Sequence, residues 1–207
     1  MCFSFEVSII TGLVSYVIAY YLWKRNLKYD RWFSIIIFTY STMQWLDAML
    51  WYDKKHNSTA SNLNKFISTY LIPFVIGAIF LSIIVGAKYK KYKIGKVEFS
   101  VYIACAIGIF LVLSNGFGLY GTNTTTINKK CHLDWGIKRK WSVLSFLFWI
   151  VLMILPLRFI ETKAKVVVAI AVIIPLLLVY TTKYSIGSLW CALANSLSLL
   201  VLLYPYI

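Results

Sequence analysis

The chain has 207 residues, 60% of them hydrophobic and 14% charged, with a mean hydropathy of +0.76 and a formal net charge of +14. Soluble domains average about 45–50% apolar and 25% charged residues, so this balance excludes an ordinary water-soluble domain and describes a polytopic membrane protein. Most of the Lys and Arg lie in short segments between apolar runs, where they set topology and meet anionic headgroups; this excludes nucleic acid as the partner of the charge.

Apolar runs of about 17–22 residues, the length a spanning helix needs, follow one another at 7–23, 32–52, 66–87, 97–115, 141–157, 164–182 and 184–204. They predict an all-α fold, a single integral membrane domain over 1–207 built as a bundle of seven transmembrane helices. The first run has no basic residue ahead of it, no small-residue cleavage site and Lys24-Arg25 directly behind it. It reads as a signal-anchor whose N-terminus is translocated. Its polar residues Ser8, Thr11 and Ser15 lie in the outer half.

The second run carries an acid, Asp47, deep in an otherwise nearly uncharged stretch. A carboxylate at that depth costs at least ~2.5–3.5 kcal/mol on insertion scales, so it must face protein or water rather than lipid. Tyr40, Gln44, Asp47 and Trp51 recur at helical spacing and predict one polar face. The third run has Thr69 and Tyr70 above Pro73, the fourth ends at Asn115, and Pro73, Pro156 and Pro175 are expected to kink three spans. Only Lys183 and its polar neighbours separate the last two runs. In the last, Tyr184, Ser188, Cys191, Asn195 and Ser198 again trace one polar face. Counted along the helices at 1.5 Å per residue, Asp47 and Cys191 each lie about 5–7 Å outward of the middle of their spans.

Loops 24–31, 88–96 and 158–165 are the densely basic ones, which places them in the cytosol, the N-terminus outside or lumenal and the C-terminus cytosolic. Lys129, Lys130, Lys138, Arg139 and Lys140 weaken that contrast. Both Asn-x-Ser/Thr sequons, at Asn57 and Asn123, fall on the less basic side and support the same orientation. The host membrane, whether of a cell, an endomembrane or a virus, is left open. Cys2 and Cys131 share the non-cytosolic face, where a disulfide would tie the N-terminus to loop 116–140; a lipidated or free Cys2 is the alternative. That loop, rich in Gly, Thr and Asn, is long enough to carry function. Trp45, Trp51, Trp135, Trp141 and Trp190 are expected at the membrane interface, and His56 and His132 in solvated loops.

Three short motifs occur together: Met1-Cys2-Phe3-Ser4 followed by Ser8, Gln44-x-x-Asp47-x-x-x-Trp51, and Gly187-Ser188-x-Trp190-Cys191. The combination resembles an uncharacterised family of multi-span membrane proteins of bacteria, algae and large DNA viruses. Its members begin Met-Cys-Phe-Ser and carry Gln-x-x-Glu with a following Trp in the second span. The resemblance covers about a third of the chain; Asp47 stands where the family has Glu, keeping the charge with a shorter reach. The family has no assigned activity, so the resemblance supplies positions and no reaction.

A retinal-binding opsin needs a Lys in the middle of its last span, and 184–204 has none. Zinc-dependent seven-span hydrolases need several His with carboxylates, and this chain has two His. No Ser-His-Asp set, phosphate loop or CxxC pair occurs, so neither an enzyme, a metal nor a cofactor is expected. The leading expectation is an outward-facing polar cavity around Asp47, lined by Gln44, Trp51, Tyr40, Ser188, Cys191 and Asn195, in a carrier of a small polar solute or cation. The competing expectation is a receptor-like or accessory protein that binds a protein partner through its outer loops, with Asp47 only buttressing the bundle. A third is a thiol-based redox membrane protein using Cys2, Cys131 or Cys191. No internal repeat is visible, which weighs modestly against a carrier.

Overall fold

A computed structural model describes residues 4–57, 59–89, 96–113, 123–127, 132–135 and 186–203, and these are mostly helical. The predicted spans 141–157 and 164–182, together with Cys2 and Cys131, lie outside the described residues. In chain order the elements are α1 (Phe5–Arg25), α2 (Asp30–His56), α3 (Asn62–Phe66), a π-helical turn (Ile67–Leu71), α4 (Ile72–Tyr89), α5 (Lys96–Leu113), strands β1 (Thr126–Ile127) and β2 (Leu133–Asp134), and α6 (Ile186–Leu203). Among the described residues, two stretches, Phe5–Arg25 and Asn62–Gly86, are long and apolar enough to cross a membrane.

α1 starts where Ser4 Oγ accepts the Val7 N–H at 3.3 Å, the side-chain cap that an apolar run preceded by Ser favours. It ends at Asn26, whose left-handed φ of 55° turns the chain while its N–H bonds Leu22 O at 3.1 Å. The turn is locked by Arg25. Its Nε and one terminal nitrogen donate to the two Asp30 carboxylate oxygens at 2.7 and 2.9 Å, and the other terminal nitrogen donates to Leu202 O at 3.1 Å. Asp30 also accepts the Leu27 N–H at 2.9 Å. One guanidinium thus joins α1, α2 and the end of α6, a fork geometry that Lys cannot reproduce. Arg25→Met is expected to cost about 3–5 kcal/mol, because Asp30, 3% exposed, would be left as a buried charge without its cation. Unfolding in detergent by denaturant titration measures this, and Arg25→Lys is expected to recover only part of the loss.

α2 lies at the centre, packed on α1, α4 and α6. The α1 face turned toward it is built of small residues. A Cβ added at Gly12 would stand 3.2 Å from Gln44 Cβ and 3.4 Å from the Trp45 ring, and Ser34 Oγ donates to Ala19 O at 2.6 Å. Tyr16 stacks on Phe38 with centroids 4.7 Å apart. Trp45 is part of this helix contact, because the lack of a Cβ at residue 12 lets the indole lie against the α1 backbone.

The two ends of the bundle are distinct. Phe5 meets Tyr52 at one end, whereas Arg25, Asp30 and Leu202 meet at the other. Ser15 Oγ lies 3.2 Å from Asn195 Oδ1 and Ser198 Oγ donates to Ser15 Oγ at 3.4 Å, so α6 runs parallel to α1. The beginning of α1 and the end of α6 therefore lie at opposite ends of the bundle, here named the Asn57 end and the Arg25 end.

The main apolar core joins Met43, Leu46 and Leu50 of α2 to Ile72, Ile76, Ile79 and Phe80 of α4, Tyr102 and Ala106 of α5, and Leu133 and Trp135 beside β2. The strands pair antiparallel, Thr126 opposite Asp134 and Ile127 opposite Leu133. This small ribbon is a departure from a purely helical fold, and it sits on the bundle rather than outside it. A π-helical turn stands just before Pro73, where the Ile72 N–H reaches back to Ile67 O. Proline has no N–H to continue the ordinary ladder, and the wider turn absorbs the loss.

Candidate functional site

Asp47 is 2% exposed and accepts the Trp135 indole N–H at 3.0 Å. Trp135 is itself 3% exposed and belongs to the main core, so it is a packing residue and not the interfacial one expected. Its ring fills apolar space while its only polar atom reaches a carboxylate, the arrangement a buried Trp requires. Asp47 thus makes a buried contact with the segment leading out of β2.

Among the described residues, Tyr40, Gln44, Asp47 and Trp51 each meet a different neighbour. Tyr40 joins the main apolar core, Trp51 packs half-buried at its margin, and Asp47 meets the ribbon segment. Gln44, 1% exposed, faces α1, where its carboxamide oxygen lies 3.2 Å from Thr11 Oγ1. α2 packs on α1, α4 and α6, so neighbours on more than one side meet these residues. Asn195 does meet the first helix, through Ser15. Register along α1 brings residues 188–191 of α6 to within about one turn of the Asp47 level. The side chains of Ser188 and Cys191 lie outside the described residues.

A second polar group, not recognised in the sequence, lies at the Asn57 end. Asn64, Ser68, Thr69 and Thr125 are each 0% exposed, and Asp53 and Asn123 each 2%. Asn64 pairs with the Thr125 backbone as a strand would: Nδ2 donates to Thr125 O at 3.2 Å, and Oδ1 accepts the Thr125 N–H at 2.9 Å. Ser68 Oγ lies 2.7 Å from Thr125 Oγ1. The Asn123 N–H donates to Thr69 Oγ1 at 3.0 Å. Asn64 Nδ2 and Asn57 Nδ2 also donate to the two Asp53 carboxylate oxygens, at 3.2 and 2.8 Å. The π-helical turn matters here because it carries Ser68 and Thr69, the two hydroxyls that meet the 123–125 backbone. A segment laid over an apolar core must find partners for its own N–H and C=O groups, and these side chains provide them.

Asn123, expected as an outer glycan acceptor, belongs to this group. The residue is buried beneath the surface that a glycan would need, whereas Asn57 is exposed. His132, expected in solvent, is also buried, at 3% exposure; His56 is exposed, with Nδ1 2.8 Å from Tyr52 O. One cue was present in the sequence: Asn64, Ser68 and Thr69 stand at helical spacing beside an apolar run, and polar residues so placed need partners from elsewhere in the chain.

Burial works to raise the Asp53 carboxyl, but hydrogen bonds from Ser61, Asn64 and Asn57 outweigh it and hold the group below the usual carboxylate range. A depressed folded value stabilises the fold at pH above the unfolded value of about 3.9, and the contribution is lost as pH falls through that value toward the folded one. Thermal unfolding midpoints measured in detergent are therefore expected to fall from about pH 5 downward. Asp53→Asn is expected to flatten that fall and to cost about 1.5–3 kcal/mol at neutral pH, since its amide presents N–H groups to donors.

Among the described residues no three His, Cys, Asp or Glu side chains lie close enough to share a metal ion. Cys105 is a free, half-buried thiol.

The whole chain aligns with an uncharacterised protein of Acanthamoeba polyphaga mimivirus at 25% identity, covering 96% of that relative. No family model matches the chain, and no solved structure matches it.

Proposed function

We propose that the chain is a seven-span membrane protein of receptor-like or accessory type, which binds a protein partner through the surface formed at its Asn57 end. The observation that supports this is the way residues 123–127 and 132–135 are fastened down. Trp135 bonds Asp47, Thr125 bonds Asn64 and Ser68, and Asn64 carries the connection on to Asp53. Both buried acids of this half of α2 thus hold a folded cap. In this reading Asp47 has a positional role, and the exposed side of the ribbon, including Ile127, meets the partner. The N-out topology inferred from loop charge puts this cap outside the cytosol. Membership of the uncharacterised family is part of the same proposal and rests on the residues quoted from both ends and the second span.

A carrier of a small polar solute or cation is the second reading. It is favoured by the buried polar contacts of Thr11 with Gln44 and of Ser15 with Asn195 and Ser198 between α1, α2 and α6. In that case the cap over Asp47 is an outer gate in its closed position.

Two measurements separate them. A photocrosslinker placed at Ile127 in native membranes is expected to give a discrete protein adduct, and one placed at Phe38, exposed on a different face, is not. Wild-type chain in liposomes is expected to give no proton or cation flux above empty vesicles. Flux that Asp47→Asn abolishes while the protein stays folded would establish the carrier reading instead, since that change removes charge and titration but keeps shape.

A further inference from the structure

The Arg25 end carries a repeated pairing of cations with aromatic rings. Lys24 Nζ lies 5.6 Å from the Tyr20 ring centroid, Arg25 Cζ 5.5 Å from Tyr21, Lys28 Nζ 5.5 Å from Tyr29, and Arg31 Cζ 5.3 Å from Trp23. Arg25 is committed to Asp30. Lys24 and Lys28 are exposed and Arg31 is half-exposed, so three further positive groups gather in one turn region. The rings of α1 are also partly open, Tyr20 at 64% and Trp23 at 37% exposure, whereas Tyr29 is buried. At the opposite end of the bundle Lys55, by contrast, lies in the field of the Glu6 carboxylate.

The apolar surface beside this collar is continuous along α1. Ile10, Val14, Val17 and Tyr21 recur at i, i+4, i+7 and i+11 and are 59%, 49%, 66% and 48% exposed. A ligand that satisfies both parts carries a phosphate at one end and hydrocarbon at the other. Tyr and Trp rings at the join are suited to the headgroup level, with an apolar body and a polar tip.

We infer that the Arg25 end binds the phosphate headgroup of an anionic phospholipid through Lys24, Lys28 and Arg31, with an acyl chain lying along Ile10, Val14 and Val17. The inference rests on the membrane reading and is independent of whether the other end binds a partner. Aromatic stacking holds the cations near the surface of α1 and lowers their freedom before the phosphate arrives, so the site is formed in advance.

The test uses full-length chain in neutral detergent, titrated with phosphatidylglycerol or phosphatidylcholine, with retained lipid read by native mass spectrometry and the thermal midpoint recorded in parallel. Phosphatidylglycerol is expected to be retained preferentially and to raise the midpoint. Each charge removed is expected to weaken retention roughly fivefold, so Lys24→Gln/Lys28→Gln/Arg31→Gln should lose on the order of 100-fold. Lys24→Arg/Lys28→Arg/Arg31→Lys keeps the charge and is expected to keep the preference. Should the triple neutral variant fail to fold, exposed Lys24→Gln alone still has to show its own step. Equal retention of the two lipids, an unchanged preference in the neutral variants, or the same stabilisation by inorganic phosphate alone would overturn the site. Alkaline carbonate extraction tests the membrane reading separately: release of the chain defeats that reading, whereas retention without lipid preference defeats only the headgroup site.

Discussion

Gly86→Ala is expected to destabilise the protein by about 3 kcal/mol, at the upper end of what overpacking costs. A Cβ at residue 86 would fall against Trp32 Cδ1, with Trp32 Nε1 at 3.0 Å and Cγ at 3.2 Å. The indole has little room to yield. It is 2% exposed, its Nε1 donates to Ile83 O at 2.8 Å, and its ring stacks on Phe33 at 5.8 Å. Displacing it would break that bond and disturb the apolar cluster that joins α1, α2, Ile83 and Val201. Gly108 supplies the control, because a Cβ added there meets nothing within 4 Å. Gly108→Ala is expected to be neutral or to stabilise by up to about 1 kcal/mol through helix propensity. Thermal midpoints of the two variants in one detergent give the comparison. Equal midpoints would show that α4 and α2 are not packed through Trp32.

The second large effect is expected at the Asp47–Trp135 contact. Trp135→Ala removes a large buried ring and is expected to cost about 3–5 kcal/mol. Trp135→Phe keeps most of the volume and deletes the donor, so its expected cost is about 1.5–3 kcal/mol, the range for a hydrogen bond to a charged group. Asp47→Asn retains an acceptor for the indole N–H and is expected to lose less than either. The combined Asp47→Asn/Trp135→Phe variant is then expected to lose less than the sum of the two single changes, a coupling that a double-mutant cycle reads directly. Limited proteolysis supplies a second readout, since loosening the cap should expose residues 123–135 to cleavage ahead of the helices. Strict additivity of the two changes would remove Asp47 as the anchor of the cap.

Much of the helical layout was legible because it follows from local chemistry. Long uncharged runs have to form helices whether their surroundings are lipid or protein, and α1, Asn62–Gly86, α5 and α6 fall within a few residues of the predicted runs. Helix starts and stops were equally local: Ser4 ahead of the first run and Asn26 after Lys24-Arg25 are capping residues by type, and they cap α1. That Asp47 needs protein partners also followed from its place in an otherwise nearly uncharged stretch.

The identity of those partners did not. Asp47 meets Trp135 across 88 residues of chain, and Asn64 meets Thr125 across 61, so no periodicity within a span contains either contact. Helical spacing puts Gln44 and Asp47 on one face of α2, and in the fold Gln44 meets Thr11 of α1 whereas Asp47 meets Trp135. The 123–125 sequon reads as exposed because Asn and Thr are polar. In the fold Asn123 and Thr125 are buried, since Asn64, Ser68 and Thr69 supply the hydrogen bonds that burial demands. Sequence alone determined which segments become helices and that an acid lies inside them, because propensity, length and charge act over a few turns. Only the tertiary structure decided what covers that acid, because satisfying a buried polar group depends on which distant segment arrives beside it.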